Sequence, residues 1–198
     1  AESIPADPYW KSEFYRYRRF TGWYPTRTGD IAWDFEKDTV QGDMVLYAHW
    51  EITDMFTYKK ADSEENPFVF EKKDMAFDKN GEVLYSFTVL ELLEDLNKSI
   101  VNGGNFYPGC FFKLGESIEL PSDWEGISEA DSNTLGERAF RGVFDGNGKT
   151  ISNLNATGEK NVGFFGTATG CTIENLMIDG ATVTGITPVA AIAGDALC

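Results

Sequence analysis

Apolar residues follow three different rhythms along the chain. From Arg18 to Trp50, "RRFTGWYPTRTGDIAWDFEKDTVQGDMVLYAHW", aromatic and β-branched runs are broken at Pro25, Gly29-Asp30 and Gly42-Asp43, which predicts short strands joined by turns. In "MVLYAHW" the alternation places Leu46, Ala48 and Trp50 on one face and Val45, Tyr47 and His49 on the other. That is the pattern of a strand with one buried side. Trp23, Trp33 and Trp50 are then expected to supply most of this small block's core.

The rhythm changes after Trp50. "YKKADSEENP", Tyr58 to Pro67, is polar and closed by proline, so a domain boundary is expected near residue 57. "FVF" and "MAFDKNGEVLYSF" read as strands, the latter a hairpin turning at Asn80-Gly81. Next comes a helical period, with Val89, Leu92, Leu93, Leu96 and Ile100 on one stripe, Thr88 and Glu91 as a capping box, and Gly103-Gly104 as a stop. A helix is therefore expected near 89–101. "CFFKL" at 110–114 and "SIEL" at 117–120 return to strand character.

The third rhythm is short apolar triplets set among glycine and asparagine, as in "FRGVFDGNGKTISNLNATGEKNVGFFG", Phe140 to Gly166. "TISNL" at Thr150 recurs as "TIENL" at Thr172, and "GFFG" at Gly163 recurs loosely as "AIAG" at Ala191. Short strands repeated every twenty to thirty residues predict a β-solenoid. On the first of these repeats Ile151 and Ile173 occupy equivalent core positions, as do Leu154 and Leu176, and Asn153 and Asn175 stack at a bend. The array runs to "VAAIAGDALC" without a cap, so an open end that frays or pairs with another copy is expected, with Cys198 a route to disulfide dimers.

Two resemblances add to this reading. "FTGWY" (Phe20–Tyr24), "WDF" (Trp33–Phe35) and "DMVLYAHW" (Asp43–Trp50) resemble the Listeria-Bacteroides, or internalin B-type, repeat. The resemblance implies a small β-grasp-like spacer or adhesion module with no catalytic residues. The glycine-free "AESIPADPYWKSEFYRYRR" departs from that family's first strand and Gly-Gly turn, so the repeat reads as incomplete. "FRGVFDGNGKTISNLNA", "VGFFG" and "CTIENLMIDGATVTG" resemble the bacterial GLUG repeat, with a helix and an "FKL…IEL" run before it. This second resemblance implies a right-handed parallel β-helix whose first turn the helix caps. The expected organisation is thus mainly β: a β-grasp-like repeat over 1–57, then the start of a right-handed parallel β-helix over 58–198 with one capping α-helix.

Charge and chemistry narrow the function. Of the net charge of −15, −13 is carried by residues 61–198, where twenty-two acids face nine bases, which disfavours nucleic acid and anionic membrane as partners for that part. No run of eighteen apolar residues occurs, so no membrane insertion is expected. The chain begins without methionine or an apolar signal core, as expected if a targeting sequence has been removed. The three cysteines lack CxxC spacing; Cys110 and Cys171 read as buried free thiols, and no disulfide framework or zinc site is expected.

The single histidine, His49, sits on a solvent-facing strand position with no triad partner. Neither "DKNG" nor "DGNG" carries the glutamate of an EF-hand or the frame of a P-loop. The carboxylate pairs Asp123/Glu125 and Glu129/Asp131 read as solvated loop. Phe14 to Arg19, with aromatics and arginines interleaved, reads as an edge strand. The expectation is therefore no catalytic residue, no cofactor and no metal. The chain is expected to be a non-catalytic adhesion or stalk module of a bacterial secreted or cell-surface protein, facing a host or neighbouring-cell surface protein or glycan. The alternatives are an accessory region of a large secreted peptidase or glycan-degrading enzyme, or a glycan-binding module stacking sugars on Tyr107 and Trp124.

Overall fold

The computed structural model describes residues 5–6, 8, 17–53, 58–78, 80–103, 107–128, 138–186 and 188–198. The protein is mainly β, with one α-helix among the described residues. In chain order the strands are β1 (Tyr17–Tyr24), β2 (Tyr47–Thr53), β3 (Phe68–Phe70), β4 (Lys73–Phe77) and β5 (Val83–Phe87). Helix α1 (Val89–Gly103) follows, then β6 (Phe111–Leu114), β7 (Ile118–Glu119), β8 (Val143–Asp145), β9 (Thr150–Ser152) and β10 (Asn155–Thr157). The last five are β11 (Phe165–Thr169), β12 (Thr172–Glu174), β13 (Met177–Asp179), β14 (Thr182–Thr184) and β15 (Ala193–Leu197).

The chain folds into two compact units, Ala1–Phe56 with Lys73–Phe87, and Thr57–Lys72 with Thr88–Cys198. This differs from the single cut expected near residue 57, because the β4–β5 hairpin joins the sheet of the first unit. That sheet has the order β2-β1-β4-β5, antiparallel in both hairpins and parallel where β1 meets β4. The Asn80-Gly81 turn forms as its sequence predicts: Gly81 takes a positive φ of 89°, and Asp78 accepts from the amides of Asn80 and Glu82 at 2.8 and 2.7 Å.

Three expectations fail in this unit. Strand β1 lies inside the sheet rather than at its edge, while Phe14, Tyr15 and Arg16 lie outside the described residues. Residues 25–46 make one long connection rather than further strands, and Trp23, Trp33 and Trp50 are only half-buried. The fully buried centre is Phe20, met edge-on by Trp23 and Trp50 at 5.7 and 5.5 Å.

The second unit is built of parallel ladders. Strands β3, β6, β8 and β12 form one sheet, β7, β9 and β13 a second, and β10–β14 and β11–β15 two more pairs. In register across the first sheet stand Phe68, Phe112, Phe144 and Ile173; across the second stand Ile118, Ile151 and Ile178. Phe112 and Phe144 are almost wholly enclosed, with Phe70, Phe140, Phe164 and Phe165 beside them. Each such ring contributes about 1.5–3 kcal/mol by burial, and edge contacts such as Phe144–Phe165 at 5.2 Å add about 0.5–1.5 kcal/mol.

The register corrects the repeat read from sequence. Val143 pairs with Thr172, Ile151 with Ile178, Asn155 with Thr182 and Phe165 with Ala193, so the last layer follows the one before it by 27 to 29 residues, while the layer below pairs at longer steps, Phe111 with Val143 and Ile118 with Ile151. The "GFFG"/"AIAG" alignment holds that register. The "TISNL"/"TIENL" alignment does not: Ile173 pairs with Phe144 rather than standing over Ile151. Leu154 is fully buried, whereas Leu176 is half-buried. Asn153 and Asn175, with φ of 58° and 50°, therefore bend different corners and do not stack.

Helix α1 has the expected cap and face. The Glu91 amide donates to Thr88 Oγ1 at 3.2 Å and the Thr88 amide to Glu91 Oε2 at 3.0 Å, while Val89, Leu92, Leu93, Leu96 and Ile100 are all buried. The helix packs against β3.

Candidate functional site

Three places in the structure hold polar chemistry. The first is the corner after β8, where the glycine-rich stretch turns. Lys113 and Asp145 are cross-strand neighbours, with Nζ and Oδ2 3.1 Å apart. Asp145 Oδ1 accepts from the Asn147 amide at 2.7 Å and from Asn175 Nδ2 at 3.0 Å, and Asn147 Nδ2 donates to the Leu114 carbonyl at 2.9 Å. Burial by itself would raise the Asp145 carboxyl. The bonds from Asn175, Asn147 and Lys113 outweigh it and hold the group below the usual carboxylate range.

Gly146 fills this corner because a Cβ there would lie 2.5 Å from the Asn175 carbonyl oxygen and the Leu176 Cα. Asn147 and Gly148 complete the turn with φ of 52° and 65°. The Lys113–Asp145, Asn175–Asp145 and Asn147–Leu114 contacts each tie one strand layer to the next, which is an architectural use.

The second place joins α1 to the segment before β3. Tyr58 donates its hydroxyl to Asp95 Oδ2 at 2.9 Å, beneath rings of Phe68, Tyr107 and Phe112. Burial pushes the Asp95 carboxyl up to about 7, against the opposing pull of the Tyr58 hydroxyl and the Lys98 charge. Nothing in the helical pattern marks Asp95 except its place on the flank of the apolar stripe, three residues after Leu92.

The third is a cleft of about 610 Å³ in the first unit, lined among others by Trp23, Trp33, Phe35, Met44, Asp38 and Asp43. The connection that carries most of these residues is held by an Asp34-centred turn. Asp34 Oδ1 accepts from the Glu36 amide at 3.0 Å, and the Asp34 amide donates to Asp38 Oδ2 at 2.8 Å. The Trp33 amide is bonded to the Trp23 carbonyl at 2.7 Å, so one wall of the cleft is fixed to β1.

The aromatic pair expected to stack sugars is placed otherwise. Tyr107 is 5% exposed, its ring edge-on to Tyr58 at 5.2 Å. Trp124 is also 5% exposed, lies flat on Phe164 at 5.7 Å and donates its indole N–H to the Phe164 carbonyl at 3.4 Å. Packing claims both rings, so neither offers a face to a glycan. His49 is half-buried, stacked on Tyr24 at 3.9 Å with Nε2 3.0 Å from the Thr26 carbonyl. Asp123 and Glu125 are exposed loop residues, and Glu129 and Asp131 lie outside the described residues.

The cysteine expectation is half corrected. Cys110 is a buried thiol outside the disulfide, but Cys171 is joined to Cys198 with Cα atoms 4.9 Å apart. The physical reason is the period: 27 residues separate the two cysteines, one repeat of the ladder, so position 198 falls beside position 171. Thr169 and Leu197 are already paired in β11 and β15. Among the described residues no group of three or more His, Cys, Asp or Glu side chains could hold a metal ion, and no helix is long and apolar enough to cross a membrane.

No family model matches the chain, and no solved structure matches it. Two curated proteins of Evansella cellulosilytica share short segments with it. One, named "Putative Gly-rich membrane protein", is 61% identical over 33 residues, 17% of this chain and 4% of its own length. The other, named "Putative membrane protein", is 54% identical over 35 residues, 18% of this chain and 5% of its own length. The chain therefore spans only a small fraction of the length of the curated relatives it matches.

Proposed function

We propose that the second unit forms the first turns of a right-handed parallel β-helix, capped by α1, and that the first unit is an internalin B-type, β-grasp-like repeat. On this reading the chain is a non-catalytic adhesion or stalk module of a bacterial secreted or cell-surface protein. The observation that carries it is the stacking of parallel ladders, strand over strand in register, with the last layer set 27 to 29 residues after the one before it. Crossovers between parallel strands of one sheet are right-handed in about 98% of cases, which supports the hand. The mixed sheet of the first unit, two hairpins joined through parallel inner strands, supports the β-grasp likeness.

The Cys171–Cys198 bond supports the location, because structural disulfides persist in oxidising compartments such as the cell exterior. The names of the two Evansella relatives point to the envelope in the same direction. The test has two arms. The purified chain should turn over no member of peptide and glycan panels, and beads coated with it should be retained on bacterial or host-cell surfaces if it adheres, and pass freely if it is a stalk. Turnover that survives repurification and is lost in Asp123→Asn or Glu125→Gln would overturn the non-catalytic reading.

A further inference from the structure

The first-unit cleft has the composition of a receptor for an organic cation. Its lining includes Trp23, Trp33, Phe35 and Met44, and its charged lining among the described residues is Asp38 and Asp43. A volume of about 610 Å³ is that of a small-molecule site, in which apolar walls and a few placed polar groups divide the work of affinity and orientation.

The aromatic face carries negative potential, strongest for indole, and attracts ammonium groups. Two carboxylates add Coulomb attraction for the same charge and repel anions. A neutral sugar would use the rings and hydrogen-bond the carboxylates, but it carries no charge for them to attract, so ionic strength would leave its binding unchanged. Of the lining, Val40 and Met44 are 52% and 37% exposed, so an apolar stem laid on them would be covered rather than left in water. The Asp34 turn holds this wall in place: Lys37 and the Glu36 amide keep the Asp34 carboxyl below the usual range, so it stays an acceptor into more acidic solution than an ordinary aspartate.

We propose that this cleft binds an alkylammonium group, either quaternary or the primary ammonium of a lysine-type side chain, presented on an apolar stem. The inference concerns the first unit alone and does not depend on whether the second unit is a β-helix.

The full chain is titrated with choline chloride and with Nα-acetyl-lysine amide, following tryptophan fluorescence and the indole N–H signals of ¹H–¹⁵N spectra. Methyl glucoside and acetate serve as the neutral and anionic probes. The expected result is a saturable response of the Trp23 and Trp33 indoles to at least one cation, and none to methyl glucoside or acetate. The cation that binds more tightly identifies the source, a quaternary headgroup or a lysine side chain. Asp43→Asn, at an exposed side chain, should leave the thermal transition unchanged and weaken binding about fivefold, as should raising salt from about 20 to about 300 mM. No saturable response to either cation, an equal response to methyl glucoside, or undiminished binding in Asp43→Asn would each overturn the proposal.

Discussion

Asp95 makes stability depend on pH in a direction opposite to most carboxylates. Its carboxyl is pushed up to about 7 in the folded chain by burial, while in the unfolded chain it returns to the ordinary aspartate range near 4. Folding therefore retains a proton that the unfolded chain loses. Stability from this group is complete below about pH 4 and is lost progressively as pH rises to about 7, after which the loss levels off. Three pKa units correspond to about 4 kcal/mol. Water at the half-buried carboxyl reduces that ceiling, so the observable loss is on the order of 2 kcal/mol.

Asp95→Asn removes the titration yet keeps an oxygen for the Tyr58 hydroxyl. Urea unfolding of both proteins at steps from pH 4 to pH 9 isolates the effect in their difference, since every other acid is common to both. The variant should match the wild type near pH 4 and exceed it by about 2 kcal/mol above pH 7. Tyr58→Phe, which removes a bond that lowers the Asp95 pKa, should steepen the pH dependence. A difference between Asp95→Asn and wild type that is flat with pH would refute the argument.

Three further outcomes follow from the ladders. Leu154→Ala should cost about 2–5 kcal/mol because its side chain is fully buried, and Leu176→Ala about 1–2 kcal/mol because its is not; chemical denaturation of both variants checks the ranking. Gly146→Ala should destabilise far more than Gly148→Ala: the first added methyl meets backbone, whereas the second enters open space and incurs only the left-handed backbone cost of about 1–2 kcal/mol, readable as a difference in melting temperature. Cys198→Ser should raise hydrogen exchange across β15, with a loss of about 3.5 kcal/mol on the chain-entropy view of a 27-residue loop.

What was legible in the sequence is what is coded locally. The Asn80-Gly81 hairpin, the Thr88/Glu91 cap and the five-residue stripe of α1 each need only a few adjacent residues, and each formed as read. Exposure of single aromatics is not local. Tyr107 and Trp124 sit beside turn residues and look free in the sequence, yet their neighbours Tyr58 and Phe164 come from about forty or more residues away. The cleft was illegible for the same reason: its tryptophans read as core because nothing in a run of residues distinguishes a ring that closes a core from one that walls a cavity.

The false repeat has a more specific cause. "TISNL" and "TIENL" are alike because each codes a short strand followed by an asparagine in the left-handed region, a bend that a solenoid needs at more than one corner. The strand before Asn153 is β9 and the strand before Asn175 is β12, which belong to different sheets. The residue 27 positions after Asn153, one ladder period, is Gly180, whose φ of 69° matches the 58° of Asn153; the two share backbone geometry and no side chain. Between β8 and β9 the chain spends four residues, Gly146–Lys149, but between β12 and β13 only Asn175 and Leu176. Corner lengths therefore vary while strand pairing does not. In such a chain vertical equivalence is set by backbone conformation and inward volume, as Phe112, Phe144 and Ile173 share a column without sharing a motif, and identical motifs report the kind of bend rather than its place in the turn.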